Sequence, residues 1–133
     1  MAVKVLVIED STQVRESVLM LLEHLGVVAA GAGDSEEALR VLPEFNPDVA
    51  LVDLILPGEL DGFQLIEKIN ELAPQVKIIV TSGDSKSETF FRALRSRGVA
   101  ESLPKPISLD GLASAVAKVM GIAVEDLGEE LIG

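Results

Sequence analysis

Apolar positions along this chain change period repeatedly, from short β-branched runs to the three-to-four spacing of amphipathic helices. Residues 3–8 form a continuous run of the kind expected for a strand covered on both faces. Residues 11–25 then place Val14, Val18, Leu21, Leu22 and Leu25 at helical spacing and stop at Gly26. A weaker strand is predicted over 27–32. Asp34 is suited to cap a second helix, with Glu36 and Glu37 in the first turn where the helix dipole favours anions, and Pro43 is expected to end it. The pattern continues with a strand at 49–52, a helix at 61–72 carrying Phe63, Ile66 and Ile69, and a strand at 76–80. A helix over 84–97 closed by Gly98, a strand at 99–103 and a helix over 108–120 capped by Ser108 complete it.

Five such β–α units predict an α/β fold: a doubly wound five-stranded parallel sheet of order 2-1-3-4-5, in the flavodoxin-like three-layer arrangement. At 133 residues one domain suffices to bury a core. It is assigned to residues 1–120, leaving 121–133 as an acidic tail. There Val124, Leu127 and Leu131 alternate with Glu125, Asp126, Glu129 and Glu130, which fits either a short amphipathic helix or the start of a linker.

Composition narrows the function classes. No apolar stretch approaches the ~20 residues that span a bilayer, and the amino terminus reads directly into a strand without a signal pattern. The chain has no cysteine, hence no disulfide framework and no thiolate metal site. These features predict a soluble cytoplasmic protein without membrane attachment. A formal charge of −11 argues against direct contact with nucleic acid. Lys86, Arg92, Arg95 and Arg97 gather on the fourth predicted helix, as a solvated face or as a docking surface for an acidic protein.

The candidate chemistry lies where strands stop. Glu9 and Asp10 follow the first strand, Asp53 ends the third, Thr81 follows the fourth and Lys105 the fifth. In this topology ligands bind beyond the carboxyl ends of the strands where the order reverses, which brings Glu9, Asp10 and Asp53 together. At ~5 Å and an effective dielectric of ~20, each carboxylate pair costs roughly 3 kcal/mol. A hard divalent cation relieves this, and an all-oxygen set with room for water and phosphate suits Mg²⁺. Thr81 adds a hydroxyl. Lys105, about two strand spacings or ~10 Å from the third strand, has a stem long enough to cover much of the gap. Acids, metal, hydroxyl and lysine make a phosphoryl-handling site in which unprotonated Asp53 can act as a nucleophile. Taken singly, Asp53 reads as a cap or turn residue and Lys105 as a surface lysine; recurrence at four strand ends reverses that.

The set Glu9-Asp10, Asp53-x-x-Leu56-Pro57-Gly58, Asp61-Gly62, Thr81-Ser82 and Lys105-Pro106 resembles the receiver domain of two-component response regulators, in order and spacing over residues 3–120. The resemblance implies that Asp53 accepts a phosphoryl group from a phosphohistidine on a sensor histidine kinase or histidine phosphotransfer protein. It implies that Asp10 ligates Mg²⁺ directly and Glu9 mainly through water, with Asp53 and the main-chain carbonyl of Ile55 completing the protein ligands. The resemblance also implies that Thr81 and Lys105 hold the phosphoryl oxygens, and that the Lys105-Pro106 bond is cis, as is common in such domains. Such a module is a signalling domain rather than a dedicated enzyme. Phosphorylation shifts it between two arrangements, and a downstream protein partner usually reads the change on the fourth helix, fifth strand and fifth helix.

Three positions depart from the family pattern. Ser102 stands where a rotating Tyr or Phe usually relays movement of Thr81. The loop from Pro57 to Gly62 is one residue longer than its commonest form. Ile55 and Gly83, two beyond Asp53 and Thr81, offer no polar group to orient water, which predicts a slowly hydrolysing phosphoryl group. The rival reading is a receiver-like module that binds a partner without phosphorylation. An aspartyl phosphatase fits less well, because the first strand lacks the Asp-x-Asp pattern. Gly31-Ala32-Gly33 resembles a dinucleotide loop, but Glu36 occupies the third glycine position, so it reads as a turn. His24 has no second histidine to make a zinc site and suits a helix C-terminus. Phe63, Phe90 and Phe91 read as core or docking residues.

Overall fold

The computed structural model describes residues 2–58, 60–82 and 88–128. Strands and helices alternate: β1 (Lys4–Ile8), α1 (Thr12–His24), β2 (Val28–Ala32), α2 (Ser35–Phe45), β3 (Val49–Asp53), α3 (Gly62–Leu72), β4 (Lys77–Ser82), α4 (Glu88–Arg95), β5 (Val99–Pro104) and α5 (Leu109–Met120). All neighbouring strands pair in parallel, and the sheet order is β2-β1-β3-β4-β5, as the strand pattern predicts. Among the described residues no helix is long and apolar enough to cross a membrane.

Alternation along each strand divides the core into two layers. Leu6, Ile8, Ala50, Val52, Ile78 and Val80 face α2, α3 and α4, where Leu42, Leu65, Ile66, Ile69 and Leu94 meet them. Val5, Val7, Val49, Leu51, Ile79 and Leu103 face α1 and α5, against Val18, Leu22, Leu112 and Val116. Every residue of the central strand β3 is buried, Asp53 included. Helix starts are set by side-chain caps that satisfy amide groups the helix itself leaves open. Ser11, Asp34 and Ser108 accept from Val14, Glu37 and Gly111, while Asp61 and Gln64 form a reciprocal capping box.

The structure corrects two expectations and outlines a third. Pro43 does not end α2, which runs to Phe45. Proline removes one backbone donor, but in the last turn only a few bonds remain to be made. Leu42 is buried, Phe45 packs on the core, and Asn46 closes the helix in a left-handed conformation with its N–H on Leu42 O at 3.0 Å. Strands β3, β4 and β5 extend further than the apolar runs, so Asp53 and Thr81 lie inside the sheet ladder. The described part of the fourth helix begins at Glu88; residues 84–87, including Lys86 of the basic cluster, and Gly83 lie outside the described residues. After Met120 the chain makes a short 3-10 turn at Val124–Asp126, and Leu127 inserts into the layer formed by α1 and α5. Glu129, Glu130 and Leu131 lie outside the described residues.

An ion pair joins the edge strand to its covering helix: Lys118 Nζ on α5 lies 2.7 Å from Glu101 Oε2 on β5. Burial alone would raise the Glu101 carboxyl. Lys118, the Ser102 backbone N–H and Arg95 outweigh it and hold the group below its ordinary 4.5. A depressed carboxyl stabilises the fold above its unfolded pKa, and that contribution is lost as pH falls through the folded value. Glu101→Gln is therefore expected to destabilise the protein at pH 7 by at most about 1 kcal/mol, because Lys118 is largely exposed. The gap to wild type should close on acidification below 4.5 in chemical denaturation followed by circular dichroism. A second expectation concerns Gly62, where a Cβ would lie 2.5 Å from both Asp53 O and Leu54 Cα. These are backbone atoms that cannot yield as a flexible side chain does, so Gly62→Ala should cost about 3 kcal/mol in the same measurement.

Candidate functional site

The site forms at the carboxyl edge of the sheet because the register aligns its strand ends. Ile8 pairs with Val52, so the next residues, Glu9 and Asp53, emerge side by side. Asp53 pairs directly with Thr81 on β4. One strand further, the Lys105 backbone N–H donates to Ser82 O at 3.0 Å, anchoring the lysine just beyond β5. Lys105-Pro106 is a cis peptide bond.

Glu9, Asp53 and Thr81 are buried, whereas Asp10 is exposed. Carboxylate oxygens of Glu9, Asp10 and Asp53 lie within 4.8 Å of one another. Lys105 reaches across β4 to this group: its Nζ is 2.5 Å from Glu9 Oε1 and 2.9 Å from Asp53 Oδ2. The remaining oxygens are also engaged. Asp53 Oδ1 accepts from the Ile55 backbone N–H at 3.0 Å, and Glu9 Oε2 accepts from Ser11 N–H at 3.1 Å.

Burial and crowded like charge together set the electrostatics here. Burial raises the Glu9 carboxyl, and Asp10 and Asp53 push in the same direction; Lys105 and the Ser11 N–H pull against them without prevailing. Burial would lower the Lys105 ammonium, but hydrogen bonds and charge from Glu9 and Asp53 more than offset it and raise the group. The Glu9 shift comes mainly from burial and the Lys105 shift from the two carboxylates it meets. Three carboxylates against one ammonium leave two negative charges when all are ionised, the charge that a divalent cation supplies. The donors are all oxygen and one of the carboxylates faces solvent, so the residues present fit Mg²⁺ and its retained waters.

All of Glu9, Asp10, Asp53, Thr81 and Lys105 converge on this edge. Ile55 contributes its backbone, while its side chain is 80% exposed. Ser102 lies away from the cluster, exposed on β5 and paired with Val80. Two neighbours carry no strand-end signal. Ser35, at the start of α2, is buried and accepts from Leu60 N–H at 3.2 Å, clamping the β3–α3 loop. Arg15 on α1 donates from Nη1 to the main-chain oxygen of Glu9 at 2.7 Å. The paired glycines Gly31 and Gly33, which leave space beside Arg15, were the available clue to it.

Residues 5–117 match the family described as response regulator receiver domain. The chain is 33% identical over 121 residues to the response regulator protein VraR of Staphylococcus epidermidis, covering 89% of this chain and 56% of that protein. It is 34% identical over 113 residues to the response regulator MprA of Mycobacterium ulcerans, covering 84% and 47%. It thus spans about half the length of these relatives. Among solved structures, the receiver domain of NtrX from Brucella abortus superposes with a TM-score of 0.81 at 28% identity, covering 90% of this chain and 99% of that one. A response regulator receiver domain from Clostridium thermocellum gives 0.79 at 27% identity, covering 90% and 94%. With fold, strand-end residues and family match in agreement over nearly all of its length, the chain belongs to the response regulator receiver domains of two-component systems.

Proposed function

We propose that this receiver domain is phosphorylated on Asp53 by a phosphohistidine of a sensor histidine kinase or histidine phosphotransfer protein, and that the modification changes its affinity for a downstream protein. The observation that carries the reading is the convergence of three carboxylates on one lysine at the carboxyl edge of the sheet. An Asp53 carboxylate oxygen forms the new bond to phosphorus as the bond from phosphorus to the donor nitrogen breaks. The departing imidazole keeps the electron pair and takes its proton from solvent. Asp53 is held for attack by the Ile55 N–H on one oxygen and Lys105 on the other. Lys105 and Thr81 then bind oxygens of the transferred group, Lys105 exchanging a carboxylate partner for a phosphoryl one.

Asp10, Asp53, the Ile55 main-chain carbonyl and, through water, Glu9 are the residues that would hold Mg²⁺. When bound, the cation would neutralise charge on the carboxylates and on incoming phosphoryl oxygens. The net charge of −11 supports a protein partner rather than nucleic acid, and a cytoplasmic setting follows from the proposed kinase reaction. Ser102 removes the usual aromatic relay, so the signal leaves Thr81 by another path. Phe90 and Phe63 meet edge to face at 6.4 Å between α4 and α3, and this contact is proposed as one element of the path.

Incubation with Mg²⁺ and phosphoramidate is expected to add one phosphoryl group by intact mass, with no adduct on Asp53→Asn and none when EDTA is present. A wild-type protein that stays unmodified but still binds its partner would instead support the phosphorylation-independent module. The adduct is also expected to persist, since the Ile55 side chain offers water no hydrogen bond. Ile55→Asn should shorten its lifetime several-fold in a radiolabel decay assay, and rapid loss from wild type would contradict this assignment.

A further inference from the structure

Gly31 and Gly33 are explained by Arg15. They sit two residues apart, on either side of buried Ala32, at the end of edge strand β2. Glycine at such positions weakens a strand and often marks a place where another group approaches closely. A Cβ on Gly31 would lie 3.0 Å from Arg15 Cδ and 3.3 Å from Arg15 Cγ; one on Gly33 would lie 3.3 Å from Arg15 Nη1. The arginine stem therefore crosses the two residues that lack side chains, and its guanidinium arrives at the end of β1. There Nη1 donates to Glu9 O at 2.7 Å, and Nη2 reaches Thr12 Oγ1 at 3.4 Å.

The position of that carbonyl matters. Glu9 N–H already donates to Ala32 O at 3.0 Å, so Arg15 fastens the other side of the same residue. The peptide after it leads to Asp10, and this short link carries two of the three clustered carboxylates. Ser11 caps α1 without Arg15, so the arginine is not needed for the helix start.

We propose that Arg15 is a positioning residue for the acidic site. It pins the Glu9 main chain through a charge-assisted hydrogen bond, and so fixes how Glu9 and Asp10 present their carboxylates to a divalent cation. This rests on the cation-binding part of the function proposed above. Gly31 and Gly33 keep the track of the arginine open.

Isothermal titration of the full chain with Mg²⁺ alone tests the assignment. Arg15→Gln should weaken binding about tenfold, a common cost of losing a residue that orients metal ligands. The Mg²⁺ concentration for half-maximal phosphorylation by phosphoramidate should rise in parallel, with little change in rate at saturating Mg²⁺. Arg15→Lys should recover part of the affinity. Gly31→Val keeps the charge but displaces the stem, and should weaken Mg²⁺ binding in the same direction. It also carries the test if Arg15→Gln fails to fold by circular dichroism. Unchanged Mg²⁺ affinity in Arg15→Gln overturns the proposal even if thermal stability falls. A loss in Arg15→Gln that is absent from folded Gly31→Val also overturns it, because displacing the arginine stem would then leave the carboxylates as they were. If wild type neither binds Mg²⁺ nor forms the Asp53 adduct, the functional reading fails as well; wild-type binding with an indifferent Arg15 removes this inference alone.

Discussion

Like-charge repulsion at the end of a parallel sheet is the constraint on which the rest of the site depends. Glu9 and Asp53 are buried beside each other, with Asp10 at the rim, and each would destabilise the others in isolation. The strand order makes this crowding unavoidable: β1 and β3 are neighbours, so residues that leave their ends meet. Relief comes from Lys105, which is anchored to the end of β4 by its backbone and extends its ammonium past that strand to both buried acids. The helices have a quieter role. By covering both faces of β3 they keep solvent from the inner carboxylates, so charge there must be met by specific partners rather than by water.

Much of this was legible in the linear pattern, for a physical reason. Strands buried on two faces must be apolar, so a polar residue that interrupts or ends such a run is conspicuous, and Asp53 and Thr81 stand out accordingly. The switch between strand and helix periods then yields the topology that brings distant carboxylates together. Pro43 was misleading because a helix-breaking rule for interiors loses force in a last turn held by Leu42 and Phe45. Leu127 was ambiguous because the spacing of Val124, Leu127 and Leu131 allows an amphipathic turn without showing what it packs against. Ser35 and Arg15 escaped for another reason. Each bonds a main-chain group of a neighbouring segment, and a single such bond creates no apolar period; only the glycines beside Arg15 hint at it.

The departures from the family pattern fall on different layers of the molecule. In the β3–α3 loop, Ser35 holds Leu60 and Gly58 takes a positive φ of 110° against the Glu36 carboxylate. The Ile55 N–H on Asp53 is intact. Ser102 is a change of another kind, because it lies on the edge strand away from the carboxylates. The carboxylate cluster and Ser102 are thus physically separate, and a change at one need not disturb the other.

Ile55 gives that separability an evolutionary form. Its amide holds an oxygen of the central aspartate, a duty any residue except proline can perform, while its side chain faces outward. Selection can therefore exchange the side chain without dismantling the constellation beneath it. A position of this kind works as an adjustable dial on a fixed instrument: what it shows to solvent can change while the hydrogen bond beneath it stays.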